Sequence, residues 1–168
     1  MSLKPKLDER FLRLKALADR LEPFSEGMVL VQSTNNVVAG EALVALALAK
    51  QAAAILSTAC QSMGFNVQTL SNPLPTKRKD LEAVVSRLAG AAQSIAQTVM
   101  KQFGINQEAA VAYLPVVIDE MTEQAEAMIA RAETHFATAK RANVTSSPQA
   151  DGDDGQLTDA AVSMVDPK

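Results

Sequence analysis

The feature that most constrains the fold is a run of 27 residues, Val37–Met63, with no proline and a single glycine, Gly40. Its first half contains eight consecutive apolar residues, Ala42–Ala49. Because successive helical residues are ~100° apart, these side chains cover every side of a helix, which is typical of a buried helix. Polar residues gather on one side after this octapeptide. We therefore predict a central helix whose front end is surrounded by other helices and whose rear half is partly exposed.

Composition indicates that the rest of the chain is helical too. The 168 residues are 48% hydrophobic but only 4% aromatic, and tryptophan is absent. Alanine and leucine dominate, and segments with the Val, Ile and Tyr content of strands are hard to find. The length suits one domain with its own core. We predict an all-α, four-helix-bundle-like domain of antiparallel helices over residues 1–141, followed by a flexible acidic tail over residues 142–168.

The first half of the chain has clear helix boundaries. Apolar residues at helical spacing predict an amphipathic helix over Pro5–Leu21, which Pro23 ends. Phe24–Asn36 is predicted to be a linker, and Met28–Val31 within it is either an extended piece or a helical turn. Gly64 lies where a C′ glycine would end the central helix.

The third predicted helix follows a proline-containing segment, Asn66–Pro75, that we expect to be irregular. Thr76 or Asp80 is the predicted cap, and Gly104 is the predicted end. The apolar stripe of this helix steps by three or four residues through Leu81, Val84, Leu88, Ala92, Ile95 and Val99.

The last predicted helix has the most regular stripe. Asn106 is its predicted cap, and Pro115 either kinks the helix or restarts it. The stripe alternates steps of four and three, as in a left-handed helix pair, through Leu114, Ile118, Met121, Ala125, Met128, Ala132, His135 and Ala139. Alanine at these positions predicts close helix approach, and such seams can also close between chains, so a homodimer is possible. The acidic residues Asp119, Glu120, Glu123, Glu126 and Glu133 are predicted to form the exposed side.

Composition changes after Ala142. Residues 143–155 have too few apolar side chains to offset the entropy of ordering and are predicted to be disordered. A short apolar face follows at helical spacing, formed by Leu157, Ala160, Ala161, Met164 and Val165. We predict that this tethered segment binds a partner by docking into a groove as a helix.

Charge and cysteine content exclude several classes of function. The net charge is −3, and Lys77–Lys79 is the only basic cluster, which disfavours nucleic-acid binding. A membrane span over Val37–Ala59 is disfavoured because it would bury Glu41 and Lys50 in the bilayer. The single cysteine, Cys60, excludes an internal disulfide and a Cys-rich metal site. With no charged-then-apolar leader at the start, we expect a cytoplasmic protein.

Single reactive residues favour structural roles. His135 lies on the apolar seam with Phe136 after it and no Glu three positions before it, so we predict a partly buried seam histidine and no phosphotransfer or di-iron role. Cys60 has no basic neighbour that would activate its thiol. Asp151–Gly155 does not match a calcium-binding loop. We predict no cofactor and no metal.

One pair has a possible catalytic function. Glu120 and Gln124 are spaced i and i+4 and share one helix face. The pair resembles the Asp-x-x-x-Gln motif that the chemotaxis phosphatases, which act on phosphorylated receiver domains, carry on a long bundle helix. The layout is also similar, with an acidic linker leading to a short C-terminal segment. The match is confined to this layout and five residues, with Glu in place of Asp.

The leading functional prediction is a non-enzymatic protein–protein interaction module, such as an adaptor, a secretion-type chaperone or an assembly factor. It rests on the lack of site chemistry and on the tethered segment that begins at Leu157. The alternative is a regulator that speeds receiver dephosphorylation, in which Gln124 would orient the attacking water and Glu120 would be its acidic partner. A third reading is an amphipathic protein that coats lipid or polymer granules.

Overall fold

In a computed structural model that describes residues 7–26, 31 and 36–145, every regular element is a helix. This confirms the all-α prediction. The elements are α1 (Glu9–Leu21), a 3-10 helix (Glu22–Glu26), α2 (Asn36–Ser62), α3 (Val67–Ser71), α4 (Arg78–Phe103) and α5 (Gln107–Thr145). The predicted partner-binding segment Leu157–Val165 lies outside the described residues, as do positions 28–30 of Met28–Val31.

The centre of the fold is a pair of helices, α2 and α5, whose buried residues follow the same repeat. Steps of four and three connect Val38, Ala42, Ala45, Ala49, Ala52, Leu56 and Ala59 on α2, and Ile118, Thr122, Ala125, Ile129, Ala132, Phe136 and Ala139 on α5. This is the spacing of helices that wrap around each other with a left-handed twist. Eight of these fourteen residues are alanine, so the two backbones can approach closely.

The order of the buried clusters shows how α2 and α5 run. Val38 shares a cluster with Ala139, and Ala45 shares one with Ala132. Further along α2, Ala52 joins Ala125 in the largest cluster. Residue numbers therefore rise along α2 while they fall along α5, so these two helices run in opposite directions.

Helix α1 packs over the second half of this pair. Phe11, Leu14 and Leu17 are buried in the largest cluster, together with Leu56 of α2 and Ile129 of α5. Burying side chains of this size contributes ~1.5–3 kcal/mol each. The first half of α2 has no such cover from α1, and Phe24 of the 3-10 helix is the large residue that packs there.

Three arginines of α1 pair with three acids of α5. Arg10 pairs with Asp119 at 2.8 Å, and Arg20 pairs with Glu133 at 2.7 Å. Between them, Arg13 pairs with Glu126 at 2.8 Å. The numbers rise together on both helices, so α1 and α5 run in the same direction. Asp119, Glu126 and Glu133 keep 43–45% of their side chains exposed on the predicted acidic side, but each pairs with an arginine of α1.

The predicted antiparallel four-helix bundle is not confirmed. Besides the parallel course of α1 and α5, the third long helix, α4, has no buried residue. Its predicted stripe is present, but Leu81, Val84, Leu88, Ile95 and Val99 are only half-buried and Ala92 is exposed. Helix α4 therefore lies at the edge of the fold with its apolar side incompletely covered.

The burial of α2 departs from the prediction in its front half, whereas the rear half is buried on one side and exposed on the other, as predicted. Within the octapeptide Ala42–Ala49, Leu43 is 54% exposed and Val44 is 43% exposed. In the rear half, Leu56 and Cys60 are fully buried because α1 and α3 pack there. An apolar run around a helix shows that every side can be covered; which side is covered depends on where α1 lies.

Three of the eight predicted seam positions of α5 are displaced by one residue. Ile118, Ala125, Ala132 and Ala139 are buried as predicted. The alternate positions are occupied by Thr122, Ile129 and Phe136, while Met121, Met128 and His135 are half-buried. Buried Thr122 donates its hydroxyl to the Ile118 carbonyl at 2.6 Å, so this polar group is satisfied.

Glycine and asparagine end and begin helices as predicted. Gly64 has φ 81°, its N–H donates to the Gln61 carbonyl, and the Phe65 N–H donates to the Cys60 carbonyl. These two bonds form a Schellman motif. Gly104 ends α4 with φ 64°, and the Ala109 N–H donates to Oδ1 of Asn106 at 2.8 Å, which caps α5.

Other boundaries differ from the prediction. α1 begins later, at Glu9, because Oδ1 of Asp8 accepts a hydrogen bond from the Arg10 N–H and caps the helix. The segment predicted to be irregular contains α3, which Asn66 caps through the Thr69 N–H.

The N-cap of α4 and the course of α5 also differ from the prediction. Lys77 is the N-cap residue of α4, without a side-chain bond, in place of Thr76 or Asp80. Pro115 lies inside α5, which continues through it and ends at Thr145, four residues beyond the predicted domain boundary.

Candidate interaction surfaces

A concave surface lies between α4 and the start of α5, and we name it the α4–α5 groove. It has a volume of about 420 Å³. Its apolar lining includes Met63, Val85, Leu88, Ala92, Val111 and Leu114. Asp8 and Arg10 contribute the charged groups of the lining. An open, mainly aliphatic channel of this kind suits an apolar side chain better than a polar substrate.

The position of α4 explains why the groove is open. Gly64, at the end of α2, approaches Ala91 so closely that a Cβ at position 64 would lie 2.5 Å from the Ala91 Cβ. α4 is thus held at Ala91 against the turn that follows α2. Leu88 and Ala92, on either side of this contact, still line the groove. Helix α4 is therefore attached to the rest of the fold while its apolar side chains remain incompletely covered.

Large apolar residues are also exposed near the turn between α4 and α5. Phe103 is 68% exposed, Tyr113 is 62% exposed and Val116 is 63% exposed. Val111, which lines the α4–α5 groove, is exposed as well. At ~100° per residue, Tyr113 and Val116 fall on the side of α5 opposite Val111, so these exposed residues do not form one patch at the groove.

A second apolar surface lies on the uncovered side of α2, and we name it the α2 groove. It has a volume of about 560 Å³. Its lining is formed by Leu21, Phe24, Leu43, Leu46, Ala47, Ala49, Lys50 and Ala53. Lys50 is the one charged side chain among these described lining residues, and it gives the groove a positive edge.

The predicted seam histidine has a partner that the sequence did not reveal. Nδ1 of His135 lies 2.6 Å from Oε2 of Glu41, and each side chain is about one-third exposed. The pair joins α5 to α2 beside the buried seam. Among the described residues, no group of three or more His, Cys, Asp or Glu side chains could hold a metal ion.

Glu120 and Gln124 are both exposed and lie on the side of α5 that faces away from the seam. No hydrogen bond joins either side chain to another part of the described chain. At ~100° per residue, Tyr113 and Val116 fall on the same outer side. The structure thus places the pair on an open helix face, and the pair does not line the α4–α5 groove.

The environment of Cys60 suppresses its reactivity. Burial raises the pKa of the thiol to about 11, because the thiolate would lose its solvation. A thiol in this state is a poor nucleophile at neutral pH.

Two of the arginines of α1 lower the pKa of the carboxylates they contact. The hydrogen bond from Arg10 lowers the pKa of Asp119, and the hydrogen bond from Arg20 lowers the pKa of Glu133. Both carboxylates are therefore favoured in their charged form beside α1.

Sequence reasoning missed both grooves. The signal for the first was the α4 stripe itself, because six apolar positions at helical spacing require a covering surface. The residues of α4 do not indicate whether the surface that covers its stripe belongs to the same chain or to another.

Helix α2 is the one helix in the described regions that is long and apolar enough to span a membrane, and 39% of its most apolar window is buried. The core helix of a soluble protein meets the same criterion, so length and composition alone do not decide the matter.

Comparison of the chain with models of known protein families, with curated proteins and with solved structures found no match.

Proposed function

We propose that the chain is a non-enzymatic protein–protein interaction module, of the adaptor, chaperone or assembly-factor kind, whose α4–α5 groove binds an amphipathic helix of another protein. The observation that supports it best is the incomplete cover of α4. Its stripe is regular over more than five turns, yet none of its side chains is buried. A helix that brings leucine-sized side chains to Leu88, Val85 and Leu114 would bury both surfaces.

The magnitude of this burial suits a reversible interaction. Burying each additional valine or leucine side chain is worth ~1.5–3 kcal/mol. Several such contacts must first offset the loss of translational and rotational freedom, which costs ~4–15 kcal/mol. Half-buried Val85, Leu88 and Leu114 already contribute part of their burial, so we expect an exchangeable complex.

The predicted four-helix arrangement belongs to this proposal. In the bound form, the partner helix would lie between α4 and α5 and complete the bundle that the chain leaves open. The partner-binding segment Leu157–Val165 would be the tethered second element of the module. A cytoplasmic protein partner fits this reading, and nucleic acid and membrane do not. A second copy of the chain is the alternative occupant, which would make the protein a homodimer.

The test uses a charge placed inside the groove and a matched charge outside it. Leu88→Arg puts a guanidinium among aliphatic side chains, whereas a Cβ on Gly90, two residues on, would have no neighbour within 4 Å. A protein captured by the full chain from its source cells would be purified and titrated against wild type, Leu88→Arg and Gly90→Arg. Losing one buried leucine predicts ~10-fold weaker binding, or more, for Leu88→Arg.

Equal affinity of the Leu88→Arg variant and the wild type would overturn the proposal. Light scattering of the purified wild type over a concentration range separates the second-copy alternative, because a homodimer would dissociate on dilution and a monomer would not change.

A regulator of a phosphorylated receiver domain is the second candidate function. The observation that favours it is the open position of Glu120 and Gln124, next to exposed Tyr113 and Val116. An amide on a rigid helix can hold a water for attack on an acyl phosphate, and the exposed apolar residues would dock the receiver.

To test this candidate, receiver domains phosphorylated with acetyl phosphate would be mixed with wild type and with Gln124→Ala. Faster phosphoryl loss that depends on Gln124 would support the enzyme reading. Identical rates with wild type, with the variant and with no added protein would remove it. Ala127→Gln, which places an amide one turn on, is the matched control.

A further inference from the structure

The α2 groove lies in a part of α2 where large apolar side chains are exposed. It leaves Leu43 54% exposed and Val44 beside it 43% exposed, in the most apolar stretch of the chain. The α2 edge of the groove runs from Leu43 to Ala53, ~15 Å along the helix. A surface of this length suits two to three turns of a partner helix.

The end of α5 is close to this groove. Ala49, which lines the groove, and Ala45, on the buried side of the same turns of α2, share a cluster with Ala132 and Phe136. These two residues precede Thr145 by 13 and 9 positions, which corresponds to ~20 Å and ~14 Å along α5. The chain beyond α5 therefore starts within ~20 Å of the level of the α2 groove.

The length of the chain outside the structure distinguishes the two grooves. Eleven residues, 146–156, separate Thr145 from Leu157 and span at most ~40 Å when fully extended. This covers the distance to the α2 groove, including the sideways step across one helix. Ile118, the α5 residue of the α4–α5 groove nearest to Thr145, precedes it by 27 residues, ~40 Å along α5, which only a fully extended linker would span, and Leu114 lies ~46 Å away.

The chemistry of the C-terminal segment matches the α2 groove. Its apolar positions, Leu157, Ala160, Ala161, Met164 and Val165, share one side at helical spacing, and as a helix its nine residues would span ~13 Å. Residues 151–168 carry five acidic side chains and one basic one. Asp159 lies within the segment and Asp166 directly after it, and the charged lining residue of the groove is Lys50.

We propose that Leu157–Val165 docks into the α2 groove of its own chain, with the apolar face against Leu43, Leu46 and Ala47 and an aspartate near Lys50. This goes beyond the proposed function, which concerns the α4–α5 groove, and it stands whether or not that groove binds a partner. The docked segment would cover the apolar front of α2 in the free protein.

Disulfide trapping in the full chain tests the proposal. In a Cys60→Ala background, Ala47→Cys is combined with Ala161→Cys. The matched control combines Ala92→Cys, an exposed alanine of the other groove, with the same Ala161→Cys. After mild oxidation, intact-mass measurement and non-reducing gels give the rate and the chain origin of each bond.

We expect the bond at positions 47 and 161 to form within one chain, at a rate independent of protein concentration and ~10-fold or more above that of the control, because tethering raises the effective concentration of the segment. Lys50→Glu should slow the bond, and Leu157→Asp with Met164→Asp should reduce its rate to that of the control.

Three outcomes would overturn the proposal: equal rates for the two pairs, a bond that links two chains and accelerates with concentration, or a rate unaffected by the Leu157→Asp and Met164→Asp changes. Circular dichroism of each variant confirms that the helices are intact, so a failure to fold is recognised separately.

Discussion

Gly64 and Ala91 meet so closely that a Cβ at position 64 would lie 2.5 Å from the Ala91 Cβ and 3.0 Å from its carbonyl carbon. The contact joins the end of α2 to the middle of α4. Gly64 also has φ 81°, in the left-handed region that favours glycine. One residue therefore ends the central helix and sets the position of the helix that borders the α4–α5 groove.

We predict that Gly64→Ala destabilises the protein and displaces α4. Left-handed backbone costs a residue with a Cβ ~1–2 kcal/mol, and the clash with backbone atoms of Ala91 adds to this. Gly90→Ala is the control, because its Cβ would meet nothing within 4 Å and alanine favours an exposed helix by ~0.5–1 kcal/mol. Relative to the wild type, the midpoint of urea unfolding should fall for Gly64→Ala and rise for Gly90→Ala. Equal midpoints for the two variants would contradict the assigned contact.

The alanine seam should tolerate no larger side chain. Ala132 is fully buried between α2 and α5, so Ala132→Leu must separate the helices or distort its neighbours. Overpacking of this kind costs ~1–3 kcal/mol. Ala130→Leu, on the exposed side of the same helix, should change stability by less than ~0.5 kcal/mol. Thermal unfolding of the two variants gives the comparison, and a stable Ala132→Leu protein would show that the seam is loosely packed.

The ion pairs between α1 and α5 predict a pH dependence of stability. The folded-state pKa values of Asp119 and Glu133 are lowered by their arginine partners. Their contribution is therefore fully present above the unfolded-state pKa, ~4, and is lost as the pH falls through the lower folded-state pKa. Because the pairs are partly exposed, each should contribute ~1 kcal/mol or less.

Asp119→Asn with Glu133→Gln should lower the melting temperature at pH 7, and the difference from the wild type should shrink towards zero below pH 4. Glu123→Gln, on the same helix, is the control. A difference that persists unchanged at pH 2–3 would show that the carboxylates act through packing and not through charge.

Cys60 should react slowly with a thiol reagent in the native protein. Its pKa of about 11 and its full burial leave very little accessible thiolate at pH 8. We expect labelling by a disulfide reagent to follow opening of the fold and to become complete at once in guanidinium chloride. Ala130→Cys in a Cys60→Ala background, an exposed position, should react immediately; equal rates for the two thiols would place Cys60 at the surface.

Much of the local structure was readable from single residues. The run Val37–Met63 predicted α2 to within one residue at each end, and Gly64 ends the helix with a left-handed backbone conformation. Gly104 and Asn106 set the turn between α4 and α5 for the same reason. These signals act over a few neighbouring residues, and no distant contact overrules them.

The α5 seam shows what cannot be predicted from neighbouring residues alone. Met121 and Thr122, Met128 and Ile129, and His135 and Phe136 are adjacent pairs, and either member of each keeps a spacing of three or four. Apolarity favours Met121 over Thr122, yet Thr122 is the buried residue, and its hydroxyl is satisfied by the carbonyl of Ile118. The rotation of a helix about its axis is set by the helix it packs against.

The sequence by itself determined that the chain is helical, where its helices end and which positions repeat, because propensity, capping and periodicity are properties of neighbouring residues. Only the tertiary structure decided which apolar faces are covered. Buried Phe11, Leu14 and Leu17, with the arginine pairs beside them, place α1 against α2 and α5. Gly64 holds α4 at the edge, and the outer side of α2 is left open. Burial is a relation between segments far apart in the chain, and hydrophobic attraction has no direction that would choose among the faces in advance.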